Sequence, residues 1–346
     1  MLPAYILALP SDRIAADQAA GLLSFDQPPS RHPLPRLRIV WIEDSTYHYC
    51  LQWSYYCEIK HAMGKLHDLC TLTEDDHQCI GLNSTFKPNL AVVGPHYASN
   101  IHRPDATLGF DRAANPHLPI VIMQNKMYSN AGSSEMAGQV NAKLQWARTI
   151  GAVAAFTFLT RYHEFTAKSG VPHYWMPFGV NTGLFGKHAG NFDAQRFDIG
   201  FTGASNSKYP MREGILGVIK SLNVTSYLGT WSQTVLNRAD KRAWRTLSHA
   251  NYAAQIAQTK MWVSTTGPEN IVGTRFFEVM ASGTTLLLCN RPSPATLKVT
   301  PWVYDGLFEE GVHAVLFDGL DDLRAKIFYY LRNEPARRRI VTAAAS

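Results

Sequence analysis

Charge is scarce in this chain. Asp, Glu, Lys and Arg make up only 17% of its 346 residues, against about a quarter in an average globular domain. No dense stripe of Lys and Arg is present, so nucleic acid is not an expected partner. The one basic run, Arg337, Arg338 and Arg339, reads as a solvated helix end whose cations complement the helix dipole. Long apolar runs are missing too. None approaches the ~20 residues of a membrane-spanning helix, so no integral membrane segment is expected. The segment Met1–Pro10 is apolar but short, contains Pro3 and Pro10 and has no basic start. It does not read as a secretory signal, and the expected location is cytoplasmic. The cysteines number five, Cys50, Cys57, Cys70, Cys79 and Cys289, and form no C-x-x-C. A disulfide framework is therefore not expected, and a reducing compartment is. His48, Cys50, Cys57, His61, His67, Cys70, His77 and Cys79 crowd one stretch, but their spacing fits no standard zinc module. They read as thiols and imidazoles with no metal. Finally, no G-x-G-x-x-G follows an apolar run, which argues against a dinucleotide-dependent dehydrogenase or epimerase.

What is present is enough apolar material for two cores. The hydrophobic fraction is 46%, and the length suits about two domains. The net charge is +6, a modest excess that suits an anionic small molecule. Residues 1–36 hold Pro3, Pro10, Pro28, Pro29, Pro33 and Pro35 and read as an irregular leader. From Leu37 a rhythm begins. Short unbroken apolar runs, Leu37–Ile42, Leu90–Val93, Ile120–Met123 and Ala152–Phe156, alternate with helix-like stretches such as Ser134–Thr149. After residues 181–196, rich in Gly, His and Asn, the rhythm restarts with Phe197–Phe201, Thr225–Leu228, Lys260–Ser264, Thr284–Cys289 and Ala314–Phe317. Unbroken strands alternating with helices indicate parallel sheets covered on both faces. The expectation is α/β, two tandem Rossmann-like doubly wound domains. The first spans 37–180, the linker 181–196, and the second 197–346. Such sheets bind ligands at the carboxyl ends of their strands.

The richest segment runs from Thr266 to Gly283. Gly267 and Gly273 punctuate a loop that enters a helix with Thr274 as its N-cap and Arg275 beside it. Helix-start amides with an adjacent guanidinium attract anions. Glu278 lies one turn further on. The residues alone leave two readings open. Glu278 accepts hydrogen bonds from a pair of ribose hydroxyls, at about 1.5–3 kcal/mol each; or it forms an i, i+3 ion pair with Arg275, at only about 0.2–0.5 kcal/mol.

This segment resembles the R-x-F-E-x-x-A-x-G motif of GT-B glycosyltransferases, and of the spore maturation glycosyltransferase family in particular. Arg275, Phe277, Glu278, Ala281 and Gly283 match it. Trp175–Asn181 resembles that family's segment between domains. Asp198–Gly203 followed by Arg212 resembles the first strand, glycine turn and helix arginine of its C-terminal domain. Tyr227–Gly229 resembles the end of its next strand, and Leu323–Ile340 its closing helix. The likeness is good over about 170–342 and only a βα rhythm over 37–160. It implies a GT-B architecture with a cleft between domains, and a nucleoside diphosphate sugar as donor with no tightly bound cofactor and no metal. The absence of a D-x-D triplet agrees with the last point. It implies roles as well: Glu278 holds the donor ribose, Gly203 leaves room for the diphosphate, and Arg212 and Arg275 offset its charge. Asn270, Gly273 and Thr274 line the same loop and helix start. Related retaining enzymes place a catalytic glutamate at E-x(7)-E; here Glu269 stands one residue further from Glu278.

The N-terminal domain is expected to carry the acceptor, a glycan, protein or small molecule. Strand-end candidates are Glu43 and Asp44, His96 and Tyr97, and Asn125 and Lys126. His96, directly after Val92–Pro95, joins Glu269 as a candidate catalytic residue. Trp231 stands just beyond the end of another strand. The expected activity is transfer of a hexose-like sugar to an acceptor hydroxyl, with retained configuration and no metal. The alternative is a non-catalytic nucleotide- or sugar-binding protein on the same scaffold.

Overall fold

The computed structural model describes residues 35–43, 54–73, 79, 85–99, 108, 115–124, 134–203, 209–229, 250–267, 271–292, 304 and 307–346. By internal packing the chain divides into one unit of residues 1–47 and 60–176 and another of residues 48–59 and 177–346.

The first unit contains β1 (Arg38–Ile42), β2 (Asp68–Leu72), β3 (Leu90–Val93), β4 (Ile120–Gln124), β5 (Ala154–Thr157) and β6 (His173–Trp175). They form one sheet in the order β2-β1-β3-β4-β5-β6, parallel throughout. The inner strands are those marked by unbroken apolar runs. Val40, Ile42, Ala91, Val93, Ile120, Ile122 and Ala155 share one buried cluster with Trp146 and Ala147 of the Ser134–Thr149 helix. The two edge strands, β2 and β6, carry no such run; only their pairing makes them strands.

The second unit contains β7 (Phe197–Thr202), β8 (Ser226–Gly229), β9 (Thr259–Ser264), β10 (Leu286–Asn290) and β11 (Val315–Phe317). Their order is β11-β10-β9-β7-β8, again parallel. Both sheets thus follow the 2-1-3-4-5 order of doubly wound folds, with β6 as an extra edge strand in the first. In such sheets the strand order reverses between the first and third strands, and the crevice there is the usual ligand position. One core, around Ile199, Phe201, Val263 and Leu288, lies under the Pro210–Ser221, Gly319–Arg332 and Glu334–Ala344 helices. The other, around Trp262, Phe276, Val279 and Leu287, lies on the opposite face. Gly200 makes this possible: a methyl group there would stand 2.3 Å from the Trp262 ring.

Two expectations are corrected. Cys70 and Cys79 are not free thiols but a disulfide, their Cα atoms 5.7 Å apart. Cys70 lies on an edge strand, and the chain brings Cys79 back beside it, a proximity that no spacing rule signals. Arg337 is not a solvated helix end; it is 2% exposed. Its helix buries Arg337, Ile340 and Val341 on one side, the i, i+3, i+4 stripe that faces a core. Its guanidinium reaches the Lys260 carbonyl at 3.5 Å.

The segment 181–196 is more regular than its composition suggests. Asn181 caps the short Thr182–Phe185 helix, its Oδ1 accepting from Leu184 N at 3.0 Å. Phe185 is buried in the second unit's core. Among the described residues no helix is long and apolar enough to cross a membrane.

Candidate anion site at the carboxyl edge of the second sheet

The site is built at the reversal point between β7 and β9. β7 ends at Thr202, and Gly203 follows with φ +151°, a backbone conformation that L side chains rarely adopt. Its amide donates to the Gly229 carbonyl at 3.3 Å, bracing the turn against the end of β8. Above Gly203 two guanidiniums converge. A methyl group on it would stand 2.9 Å from Arg212 Nη1 and 3.3 Å from Arg275 Nη1. Glycine therefore leaves the space that both cations face.

Arg212 lies in the first turn of the Pro210–Ser221 helix and is 7% exposed. Its Nε donates to Thr265 Oγ1 at 3.0 Å, just past the end of β9. Its guanidinium lies over the Tyr209 ring, 3.6 Å from the centroid, a cation–π contact. Burial, then the charge of Arg275, pulls its pKa down to about 10. Arg275 lies in the first turn of the Thr274–Ala281 helix. Its Nε donates to the Tyr252 hydroxyl at 3.0 Å. Burial works against its charge, but Tyr252 and Glu278 more than offset that, and its pKa is raised.

Glu278, half-buried one turn along the same helix, does not pair with Arg275 within ion-pair distance among the described residues. Burial pushes its carboxyl up to about 7, against the charge of Arg275 and a hydrogen bond from the Thr274 hydroxyl. Gly273, not Thr274, is the N-cap, and no side chain caps this helix start. Glycine takes the cap conformation but offers no side-chain acceptor for the helix-start amides. Thr274, shifted one position into the helix, turns its hydroxyl to Glu278 instead.

The structure thus brings Gly203, Arg212 and Arg275 to one point, with Thr274 and Glu278 on the helix that carries Arg275. Glu269, Asn270 and Trp231 lie outside the described residues. His96 sits in the Pro95–Ser99 helix directly after β3, with its side chain outside the description, as are Asp44, Asn125 and Lys126. Glu43 is ion-paired with Lys60, and Tyr97 packs against the first core. Sequence reading missed Tyr252, Thr265 and Tyr209. Tyr252 had no visible signal, because its helix at 250–257 meets Arg275 only through the fold. Tyr209, three residues before Arg212, had a spacing signal. Among the described residues, no group of three His, Cys, Asp or Glu side chains is arranged to hold a metal.

The chemistry of the edge is a paired cation beside a raised carboxylate. Residues 210–346 match a family described as glycosyl transferase-like. The match begins at the helix that carries Arg212 and includes Arg275 and Glu278. No curated protein matches the chain. Two solved structures of Anabaena Alr3699/HepE are similar in fold. The complex with UDP aligns at a TM-score of 0.51 and 11% identity, over 89% of this chain and 94% of that one. The complex with UDP-glucose aligns at 0.51 and 11%, over 90% and 94%. The likeness spans both units and shows the expected fold class, two tandem Rossmann-like domains of the GT-B type.

Proposed function

We propose that the chain is a glycosyltransferase that moves a sugar from a nucleoside diphosphate donor to an acceptor hydroxyl. The observation that carries this reading is the convergence of Arg212 and Arg275 over Gly203. Two guanidiniums sharing one space raise each other's energy, and a diphosphate relieves that. Planar guanidiniums match phosphate oxygens. Glu278, near the start of the same helix, accepts the donor's ribose hydroxyls in its charged form. The glycosyl transferase-like match over 210–346 and the UDP and UDP-glucose bound by the HepE structures support the same donor class.

In this reading the bond from the anomeric carbon to the diphosphate oxygen breaks, and the acceptor oxygen bonds to that carbon. The leaving diphosphate gains negative charge as the bond breaks. Arg212 and Arg275, already in place, stabilise it, which lowers the barrier without reorganisation. The cations thus take the counter-charge role, and we assign no metal. Asn270, Gly273 and Thr274 complete the donor side. Glu269 stands at the donor sugar and His96 at the acceptor side. Retention of configuration follows the family resemblance.

The test is incubation with UDP-, GDP- and TDP-sugars and measurement of nucleoside diphosphate release. Release with one sugar class is expected. Thermal stabilisation by a donor with no release under any acceptor condition would convert the reading to a non-catalytic nucleotide-sugar-binding protein.

A further inference from the structure

A single side chain marks the point where the chain leaves β9 for the Thr274–Ala281 helix. The last pair of the β9–β10 ladder is Ser264 with Cys289. One residue further β10 ends at Asn290, and the Thr266 amide donates to Asn290 Oδ1 at 3.1 Å. A backbone amide that leaves a ladder still needs an acceptor, and a short Asn side chain can supply one. Beyond Thr266 the loop closes on itself, Gly267 N donating to the Ile271 carbonyl at 2.8 Å. Val272 and Phe276 are then buried in the same core. The main chain of Asn290 makes a second connection. Its carbonyl accepts from the Tyr304 hydroxyl at 2.8 Å. The Tyr304 ring lies 5.9 Å from the Phe276 ring and 4.8 Å from that of Phe308. Phe276 adjoins Arg275 in sequence. Thr266 adjoins Thr265, whose hydroxyl accepts from Arg212 Nε at 3.0 Å. Asn290 therefore joins the segment that holds Arg212 to the helix that carries Arg275.

We propose that Asn290 is a positioning residue, which fixes the strand exit at Thr265 and Thr266 against the Thr274–Ala281 helix, so that the site over Gly203 is formed before the donor arrives. The inference rests on the donor reading above. It goes further in naming a residue that acts through Thr266 and Tyr304 rather than through a contact with the donor. It depends on where the two arginines stand, not on how their charge is balanced.

Titration calorimetry with UDP, GDP and TDP on the full chain compares wild type with Asn290→Leu, which keeps the approximate volume and removes the acceptor. Without that hydrogen bond, binding must restore the order itself. The tightest of the three ligands is therefore expected to bind about tenfold more weakly. Amide hydrogen exchange gives the second readout. Exchange is expected to rise at Thr266 and over Thr274–Glu278 and to stay unchanged along β8. Asn290→Asp keeps an oxygen acceptor and is expected to retain wild-type protection at Thr266. A merely structural Asn290 would lower the melting temperature while leaving the folded variant with wild-type affinity and wild-type exchange at the helix start. That result would overturn the positioning role and leave the donor reading intact. If Asn290→Leu fails to fold, Tyr304→Phe, which removes the hydroxyl and keeps the ring, carries the test. It is expected to bind about threefold more weakly, and wild-type affinity there would overturn the role equally. Failure of wild type to bind any of the three nucleoside diphosphates would overturn the donor reading itself.

Discussion

The two units share a strand order and differ at its carboxyl edge. In the second unit that edge holds charge: Arg212 is partnered by the Thr265 hydroxyl and Arg275 by the Tyr252 hydroxyl, while Arg291, just past β10, is ion-paired with Glu310 and Asp318. In the first unit the described part of the edge holds the Glu43–Lys60 ion pair and several buried neutral atoms with no hydrogen-bond partner among the described residues. Both atoms of the Gln124 carboxamide, at the end of β4, are buried and make no hydrogen bond among the described residues, as do the Thr160 hydroxyl and the Trp41 indole nitrogen. Gln124 is 2% exposed and lies in register with Thr157 of β5. A buried polar group left unpaired costs about 1–3 kcal/mol. The comparison teaches that strand order sets where a ligand can sit, whereas the side chains at the edge decide what charge it carries.

The contrast can be broken at its glycines first. Gly203→Ala would push a methyl group against Arg212 and strain a backbone at φ +151°. A shift of the cations by about 1 Å is expected to lower kcat/KM on the donor about a hundredfold. Gly94, at the matching edge of the first sheet, has room limits of its own: a methyl group there would stand 3.0 Å from Ile42 O and Trp41 Nε1. Gly94→Ala is expected to cost about 1–2 kcal/mol of stability and to leave nucleoside diphosphate affinity alone. Equal losses of affinity in the two variants would erase the distinction.

Glu278→Ala is next in size. It should weaken donor binding by about 2 kcal/mol, as measured by calorimetry, and unchanged affinity would remove the ribose assignment. Glu278→Gln keeping most of the binding would show that geometry outweighs charge.

Proton linkage sharpens the same residue. Its free carboxyl sits at about 7, and ribose hydroxyls donate to the charged form, so binding lowers that pKa. Affinity is then complete above about pH 7 and falls as the pH drops through that value, by at most about tenfold per pH unit. The bound nucleoside, rather than its diphosphate, is the ligand to titrate at pH 8 and pH 6, because it carries no phosphate proton. A flat profile would count against Glu278 as the acceptor of those hydrogen bonds.

The smallest effect is on the first unit. Gln124→Met replaces two buried unpaired atoms with an apolar chain of similar length. It is expected to stabilise the protein by about 1 kcal/mol, read from the urea midpoint. A loss of stability instead would show that the carboxamide is paired in solution.

Much of this was legible in the sequence because it is local. Nine of the strands follow from short apolar runs, and Arg275 and Glu278 stand out because they share a helix that a glycine loop introduces. The N-cap shifted by one residue because glycine takes the cap conformation without a capping side chain. The edge strands β2 and β6, the disulfide between Cys70 and Cys79, and the burial of Arg337 were not legible. Each depends on a partner remote in sequence or on which helix face turns inward.

By itself, then, the sequence determined two parallel α/β sheets and the positions of Gly203, Arg212, Arg275 and Glu278 at strand ends and helix starts. Apolar runs and turn residues are short-range signals and survive in a linear reading. Only the tertiary structure decided that the two guanidiniums share one space, and that Tyr252, 23 residues before Arg275, and Thr265, 53 residues after Arg212, hold them there. That arrangement comes from strand pairing, which places the ends of β7 and β9 side by side though 62 residues separate Thr202 from Ser264.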